Sequence, residues 1–183
     1  WNPQLKKSII RKNKYALAVG RLEKVKGFDL LISSWTNIKT KLVIVGSGKE
    51  KENLLNLIKK NNLSNKVEIV DEVKREGLIS YYENASVLIV SSRDEGGPRV
   101  ALEALYLGVP VISTDVGHMQ EILPRELLAN KDDLASLHEL LELYVDSIDL
   151  IDQSAIFEFV QNEFSIDERV KAITSAYEDL LSN

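Results

Sequence analysis

Five short apolar runs punctuate the chain: Tyr15–Val19, Leu42–Val45, Val67–Val70, Val87–Val90 and Val109–Ile112. Each is rich in Val, Ile and Leu and shows almost no polar alternation. Runs of this kind fit strands buried on both faces, as in a parallel sheet covered by helices. Between the runs the apolar spacing turns helical. Phe28, Leu31, Ile32, Trp35 and Ile38 follow Gly27, and Leu54, Leu55 and Ile58 follow Gly48. In that second helix Lys59 and Lys60 sit near the C-terminal end, where the helix dipole favours cations. A third helix is expected from about Arg75 to Glu83. Pro98 suits the first position of a fourth, with Val100, Ala101, Ala104 and Leu105 behind it. A fifth is expected from about Asp132, with Leu134, Leu137, Leu141 and Tyr144 on one face, and a shorter one from Ser154 to Gln161. Strand and helix in regular alternation predict an α/β fold, a Rossmann-like parallel sheet flanked by helices.

The last segment breaks the rhythm. Ser165 and Glu168 form a capping box, and Ile166, Val170, Ile173, Tyr177 and Leu180 make one apolar stripe with no strand after it. Residues 1–164 therefore read as one α/β domain and 165–183 as an appended helix.

Composition narrows the chemistry. The 183 residues, 44% apolar and 28% charged, suffice for a core that needs no cross-link. The absence of cysteine removes disulfides, thiolate metal sites and a thiol nucleophile. His118 and His138 are the two imidazoles, too few for a multi-histidine centre, and no metal site is expected. A net charge of −5 argues against a broad nucleic-acid footprint. No apolar run approaches the ~20 residues of a membrane span, and Trp1-Asn2-Pro3-Gln4 does not read as a signal peptide. The chain starts without Met, so the expectation is a piece of something longer.

Gly46-Ser47-Gly48-Lys49 invites a phosphate-loop reading and fails it. Val43 stands where the first glycine belongs, and Glu50 stands where Ser or Thr would hold magnesium. Lys51 and the position after the second strand rule out a dinucleotide fingerprint. A tight turn remains, whose glycines could still admit a ligand. The sequons at Asn62 and Asn84 read as chance matches, and His138 as a solvated residue on a helix's polar face.

In open α/β sheets ligands bind outside the carboxyl ends of the strands. After the first run come Gly20, Arg21, Glu23 and Lys26. After the fourth come Ser91, Ser92, Arg93, Asp94, Glu95, Gly96 and Gly97, leading into Pro98. After the fifth come Ser113, Thr114, Asp115, Gly117 and Glu121. Cations, a helix start, glycines and carboxylates on one edge suit an anionic diphosphate flanked by sugars.

These segments resemble the C-terminal, donor-binding half of retaining glycosyltransferases of the two-domain GT-B fold, family GT4. VGRLEKVKGFDLLI is similar to the family's Gly-Arg-Leu…Lys-Gly segment, and LVIVGSGKEKENL to its second strand and turn. EGGPRVALEALYLGVPVISTDVG is similar to its most characteristic stretch, with Glu95 and Glu103 eight positions apart.

The resemblance implies roles. Arg21 and Lys26 would neutralise the nucleotide diphosphate and stabilise it as a leaving group, and with Glu95 they would form the catalytic set. Glu95 would hold hydroxyls of the transferred sugar beside Gly96 and Gly97. Glu103 would accept from the ribose, and amides of Arg99, Val100 and Ala101 would meet phosphate beside Gly20. The reaction implied moves a sugar from a nucleotide diphosphate sugar to an acceptor hydroxyl with retention. It requires no metal and no cofactor.

Further expectations follow from the family. The acceptor, a glycan or lipid-linked sugar, would bind the chain's own N-terminal domain, toward which the 165–183 helix would pack. A bacterial polysaccharide pathway and a cytoplasmic location, with membrane contact left to the missing half, are expected. Two departures stand out. The third strand runs into Asp71 and Glu72 where the family often has glycine, in the region that would face the base; Glu72 and Gly46 are candidate site residues. His118 replaces a typical second glycine beside the sugar site. A non-enzymatic nucleotide-binding module and a GT-B epimerase stay open as alternatives.

Overall fold

The computed structural model describes residues 15–150 and 152–163. The expected helix at 165–183 and its capping box lie outside them. Six parallel strands form one sheet in the order β3-β2-β1-β4-β5-β6. They are β1 (Tyr15–Val19), β2 (Leu42–Val45), β3 (Val67–Val70), β4 (Ala85–Val90), β5 (Val111–Thr114) and β6 (Leu128–Ala129). The helices are α1 (Phe28–Ser33), α2 (Lys51–Lys60), α3 (Arg75–Asn84), α4 (Arg99–Tyr106), α5 (Met119–Ile122), α6 (Leu134–Tyr144) and α7 (Ser154–Glu163). β2 and β5 are buried along their whole length, as their unalternating sequences require, whereas β3 lies at the edge and is only half covered.

The differences from the sequence reading have local causes. α1 stops five residues before Ile38. The Ser34 hydroxyl donates to the Leu30 carbonyl at 2.9 Å, the Trp35 amide reaches back only three residues to Ile32, and the buried Trp35 indole N–H turns to the Thr40 carbonyl at 2.9 Å. Ile38 is buried all the same, so the apolar spacing marks burial there and not helix. The fifth strand begins at Val111 because the two residues before Pro110 close α4. Gly108 at φ 68° donates to Leu105 and Val109 to Ala104, a Schellman termination. Pro98 precedes α4 as its N-cap residue, one position earlier than expected. His138 is not simply solvated: its Nδ1 lies 3.0 Å from the Ser34 carbonyl, joining α6 to α1. β6 and the single turn of α5 carry too few residues to show a period, and the sequence gives no sign of them.

The loop entering β2 is fastened from the far end of the chain. The Asp146 carboxylate accepts from the amides of Lys39 and Thr40, both at 3.0 Å, and from the Thr40 hydroxyl at 2.7 Å. Partial burial raises the pKa of this carboxyl, but these hydrogen bonds and the Lys39 charge outweigh it and hold the pKa below the ordinary value. A carboxylate with a depressed pKa stabilises the fold above its unfolded pKa and loses that contribution as pH falls through the folded one. Asp146→Asn should therefore cost about 1 kcal/mol near neutrality, the group being largely exposed, or about 2–4 °C in Tm. Parent and variant should converge as pH drops below 3.8, the carboxyl's ordinary value; thermal melts at both pH values check it.

Candidate functional site

The strand order changes direction between β1 and β4, so the chain leaves these neighbours toward opposite sides of the sheet and opens a crevice above their carboxyl ends. A cleft lined by Val19, Lys26, Ser91, Ser92, Glu95 and Val100 lies at that point. Lys26 comes from a short 3-10 turn, Lys24–Lys26, after β1. Glu95 comes from the loop after β4. The two side chains form an ion pair across the crevice, each about four-fifths buried. The second Glu95 oxygen accepts from the Ser92 hydroxyl at 2.8 Å. A pair so withdrawn from water persists only when its remaining hydrogen-bonding capacity is met, and Ser92 meets part of it. The aliphatic stem of Lys26 runs over Gly20, where a methyl group would sit 3.5 Å from its carbons.

The end of β4 grips the turn that carries Lys26. The Lys24, Val25 and Lys26 carbonyls accept from the Arg93 guanidinium at 2.7 Å, the Arg93 amide at 2.8 Å and the Ser91 hydroxyl at 2.9 Å. Gly27, at φ 64°, lets the strand end approach this closely: a methyl group there would lie 2.0 Å from the Ser91 carbonyl oxygen. Arg93 also binds both oxygens of Asp29 at 2.7 and 3.0 Å and Asp132 at 2.7 Å. Burial raises the Asp29 pKa, but Arg93 and Lys24 override it and hold the carboxyl below its usual range. The hydrogen bonds to Asp29 lift the pKa of the guanidinium in turn.

The glycine loop is seated from below. Gly117, after β5, has φ 54°, and a methyl group there would lie 2.3 Å from the Gly96 carbonyl oxygen and 2.7 Å from that of Glu95. Gly96 itself has open space around it. The Ser92 carbonyl accepts from the Thr114 hydroxyl at 2.7 Å, which fixes the start of the same loop to β5. The loop then delivers the chain into α4, whose N-cap Pro98 offers no side-chain acceptor. The Ala101 amide donates to the Pro98 carbonyl at 2.9 Å. Arg99 is exposed and Val100 half-buried at this helix start. Glu103 lies one turn further on, and its carboxylate accepts from the buried Tyr82 hydroxyl of α3 at 3.0 Å. Burial first, and the Glu103 charge next, push the Tyr82 pKa upward.

The remaining sequence candidates lie around this centre. Arg21 points outward, its side chain 72% exposed, and pairs with Glu23 at 2.8 Å. Gly46 is buried against the end of β1, where a methyl group would lie 1.9 Å from the Gly20 carbonyl oxygen. At Gly48 a methyl group would lie 2.5 Å from the Leu22 carbonyl oxygen. These glycines thus serve strand-end packing in this structure. Glu72 accepts from the Ser47 hydroxyl at 2.8 Å at the ends of β2 and β3. His118 is exposed beside Glu121, 3.1 Å away, and its ring lies 3.7 Å from where a Gly97 side chain would begin. Ser92, Arg93 and Tyr82 received no role from the sequence. The first two stood in a recognisably polar loop, but Tyr82 reads from sequence only as a helical aromatic. Among the described residues no group of three or more His, Asp or Glu side chains is placed to hold a metal ion. No helix among them is long and apolar enough to cross a membrane.

Residues 3–146 match the family model for glycosyl transferases group 1. Amylovoran biosynthesis glycosyltransferase AmsD of Erwinia amylovora is 42% identical over 108 residues, which cover 57% of this chain and 30% of that protein. Sucrose-phosphate synthase from Thermosynechococcus elongatus superposes with a TM-score of 0.81 at 26% identity, over 95% of this chain and 47% of that one. HepE of Anabaena, solved in complex with UDP and glucose, superposes with a TM-score of 0.76 at 18% identity, over 94% of this chain and 50% of its own. The chain thus spans half or less of the length of these proteins. With the Rossmann-like sheet, the β1–β4 crevice and a family match over most of its residues, the chain belongs to the group 1 glycosyl transferases and has the fold of one GT-B glycosyltransferase domain.

Proposed function

We propose that this chain is the donor-binding half of a retaining glycosyltransferase that takes a sugar from a nucleotide diphosphate sugar. The observation that carries the reading is the Lys26–Glu95 pair in the crevice where β1 and β4 diverge, in front of the α4 N-terminus. A cation and a helix start favour the negative charge that grows on a departing diphosphate. An adjacent carboxylate on a glycine loop suits directional hydrogen bonds from sugar hydroxyls.

Roles follow the geometry. Lys26 exchanges Glu95 for the diphosphate when donor enters, and Arg21 swings in from solvent to add the second cation. The released Glu95, with Gly96 and Gly97, holds the sugar, and His118 borders that side. Amides at Arg99 and Val100 face phosphate, with Ala101 behind them. Glu103, oriented by Tyr82, takes the ribose hydroxyls. Gly46 and Glu72, at the ends of β2 and β3, border the base. The clamp uses no divalent ion. The acceptor, a glycan or lipid-linked sugar, belongs to a partner domain on the other side of the crevice. A place in polysaccharide assembly is supported by the name of AmsD, an amylovoran biosynthesis glycosyltransferase.

UDP, GDP, ADP and dTDP, each supplied to about 100 times its dissociation constant, form the test panel. At least one should stabilise the chain by roughly 2.7 kcal/mol, a rise of about 5–11 °C in Tm at roughly 2–4 °C per kcal/mol. The shift should appear without magnesium and survive a chelator. If no nucleotide stabilises the chain even at millimolar concentration, the donor reading fails. A shift that requires a divalent ion would overturn the metal-free clamp.

The two glutamates should separate in calorimetry. Glu103→Ala should weaken free nucleotide and nucleotide sugar alike, by about tenfold for one charge-assisted hydrogen bond. Glu95→Ala should leave free nucleotide as tight or tighter, because Lys26 loses its internal competitor, and weaken only the increment due to the sugar. Equal losses for both ligands in Glu95→Ala would remove its assignment to the sugar.

A further inference from the structure

Arg93 is a cation in the loop that leads to Glu95, so the simplest expectation makes it another phosphate ligand. Its hydrogen bonds point elsewhere. Four of the five guanidinium N–H groups are already committed: one to the Lys24 carbonyl, two to the oxygens of Asp29 and one to Asp132. The side chain is about four-fifths buried. A fork engaged this fully does not swing out to a ligand without leaving Asp29 only the exposed Lys24 ammonium, 3.6 Å away. Its partners belong to three separate segments: the turn carrying Lys26, the first turn of α1, and the loop after β6.

We infer that Arg93 is a positioning residue for donor binding: it fixes the Lys24–Gly27 turn and thereby holds the Lys26 ammonium in the crevice. The inference rests on the donor-binding reading of Lys26 given above. The turn is short and depends on contacts outside itself. Its own backbone bonds are Lys26 N–H to Glu23 and Gly27 N–H to Lys24, at 3.0 and 3.1 Å. The three turn carbonyls, from residues 24 to 26, are all bound by residues 91–93. Two of these three bonds come from the Arg93 backbone and the Ser91 hydroxyl and survive substitution of the Arg93 side chain. The guanidinium supplies the third and is the group that also ties the turn to α1 through Asp29. Removing it should loosen the turn without dissolving the strand end. Lys26 then has more orientations available, and part of its binding energy is spent on ordering it.

The test has two arms on the full chain. In hydrogen exchange, Arg93→Met should reduce protection of the Lys26 and Gly27 amides by about tenfold and leave amides of β1 and β2 unchanged. Unchanged protection at Lys26 and Gly27 overturns the inference whatever the ligand result. In the second arm, binding of UDP, GDP, ADP and dTDP is measured for the parent, Arg93→Met, Lys26→Met and the double variant. Arg93→Met should lose about tenfold in the Lys26 background and less than about twofold once Lys26 is already Met, because its effect runs through Lys26. An equal loss in both backgrounds makes Arg93 a direct ligand or a general structural element and overturns the inference. Asp29→Asn keeps the guanidinium and its bond to Lys24, so it serves if Arg93→Met does not fold. It should give the same coupling to Lys26 at smaller amplitude, and a loss independent of Lys26 overturns the inference in the same way. Failure of the parent to bind any of the four nucleotides overturns the donor reading, and this inference about donor binding falls with it, while the exchange arm still reports whether Arg93 holds the turn.

Discussion

Everything at the candidate site depends on β1 and β4 being neighbours in a parallel sheet whose connections depart in opposite directions. Tyr15 pairs with Ala85, and Ala16 and Leu17 pair with Val87 and Leu88. That register brings the residues after Val19 and those after Val90 to the same height. The Lys24–Lys26 turn can then lie across the end of β4 and be held by it. Shifting either strand by one residue would reverse the faces of its side chains and separate Lys26 from Glu95. The glycines make the approach sterically possible: Gly27 admits the Ser91 carbonyl, Gly46 the Gly20 carbonyl and Gly117 the Gly96 carbonyl, each into space that a side chain would fill.

Charge in the crevice is balanced locally. Glu95 and Lys26 satisfy each other, which keeps a cation near a helix start from being stranded out of water. The neighbouring Arg93–Asp29–Asp132 cluster has a different character. Its members connect α1, the turn and the loop after β6, with four of the five guanidinium N–H groups engaged. Two cations at the same strand ends are thus held differently. Lys26 has one carboxylate partner, whereas the Arg93 guanidinium has three partner residues.

Tyr82 and Glu103 show how a helix carboxylate among apolar neighbours is accommodated. Leu102, Ala104 and Leu105 surround Glu103 in sequence, and a partner was required by that setting. The sequence left open whether the partner was a ligand or a group of the protein. The buried Tyr82 hydroxyl supplies one hydrogen bond and fixes one oxygen. The bond reaches from α3 to α4.

The sequence by itself determined the α/β architecture and the five longer strands, because unbroken Val, Ile and Leu runs have one favourable environment, a sheet covered on both faces. It also marked the polar loops, since polar residues collect where those runs end, and the segments around Gly20–Gly27 and Glu95–Gly117 are specific enough to mark the family. It did not determine β6 or α5, which have too few residues to show a period, or the early end of α1, where the Trp35 amide turns to Ile32 and its indole to Thr40. Partner choice was decided only by tertiary structure. Nothing in the order of residues says that Lys26 meets Glu95 across 69 positions, that Arg93 reaches Asp29, or that Asp146 fastens the loop before β2. A side chain's period along the chain is set by local backbone geometry and can be read locally. Its partner is set by which strand ends the sheet brings together, and that is a property of the whole fold.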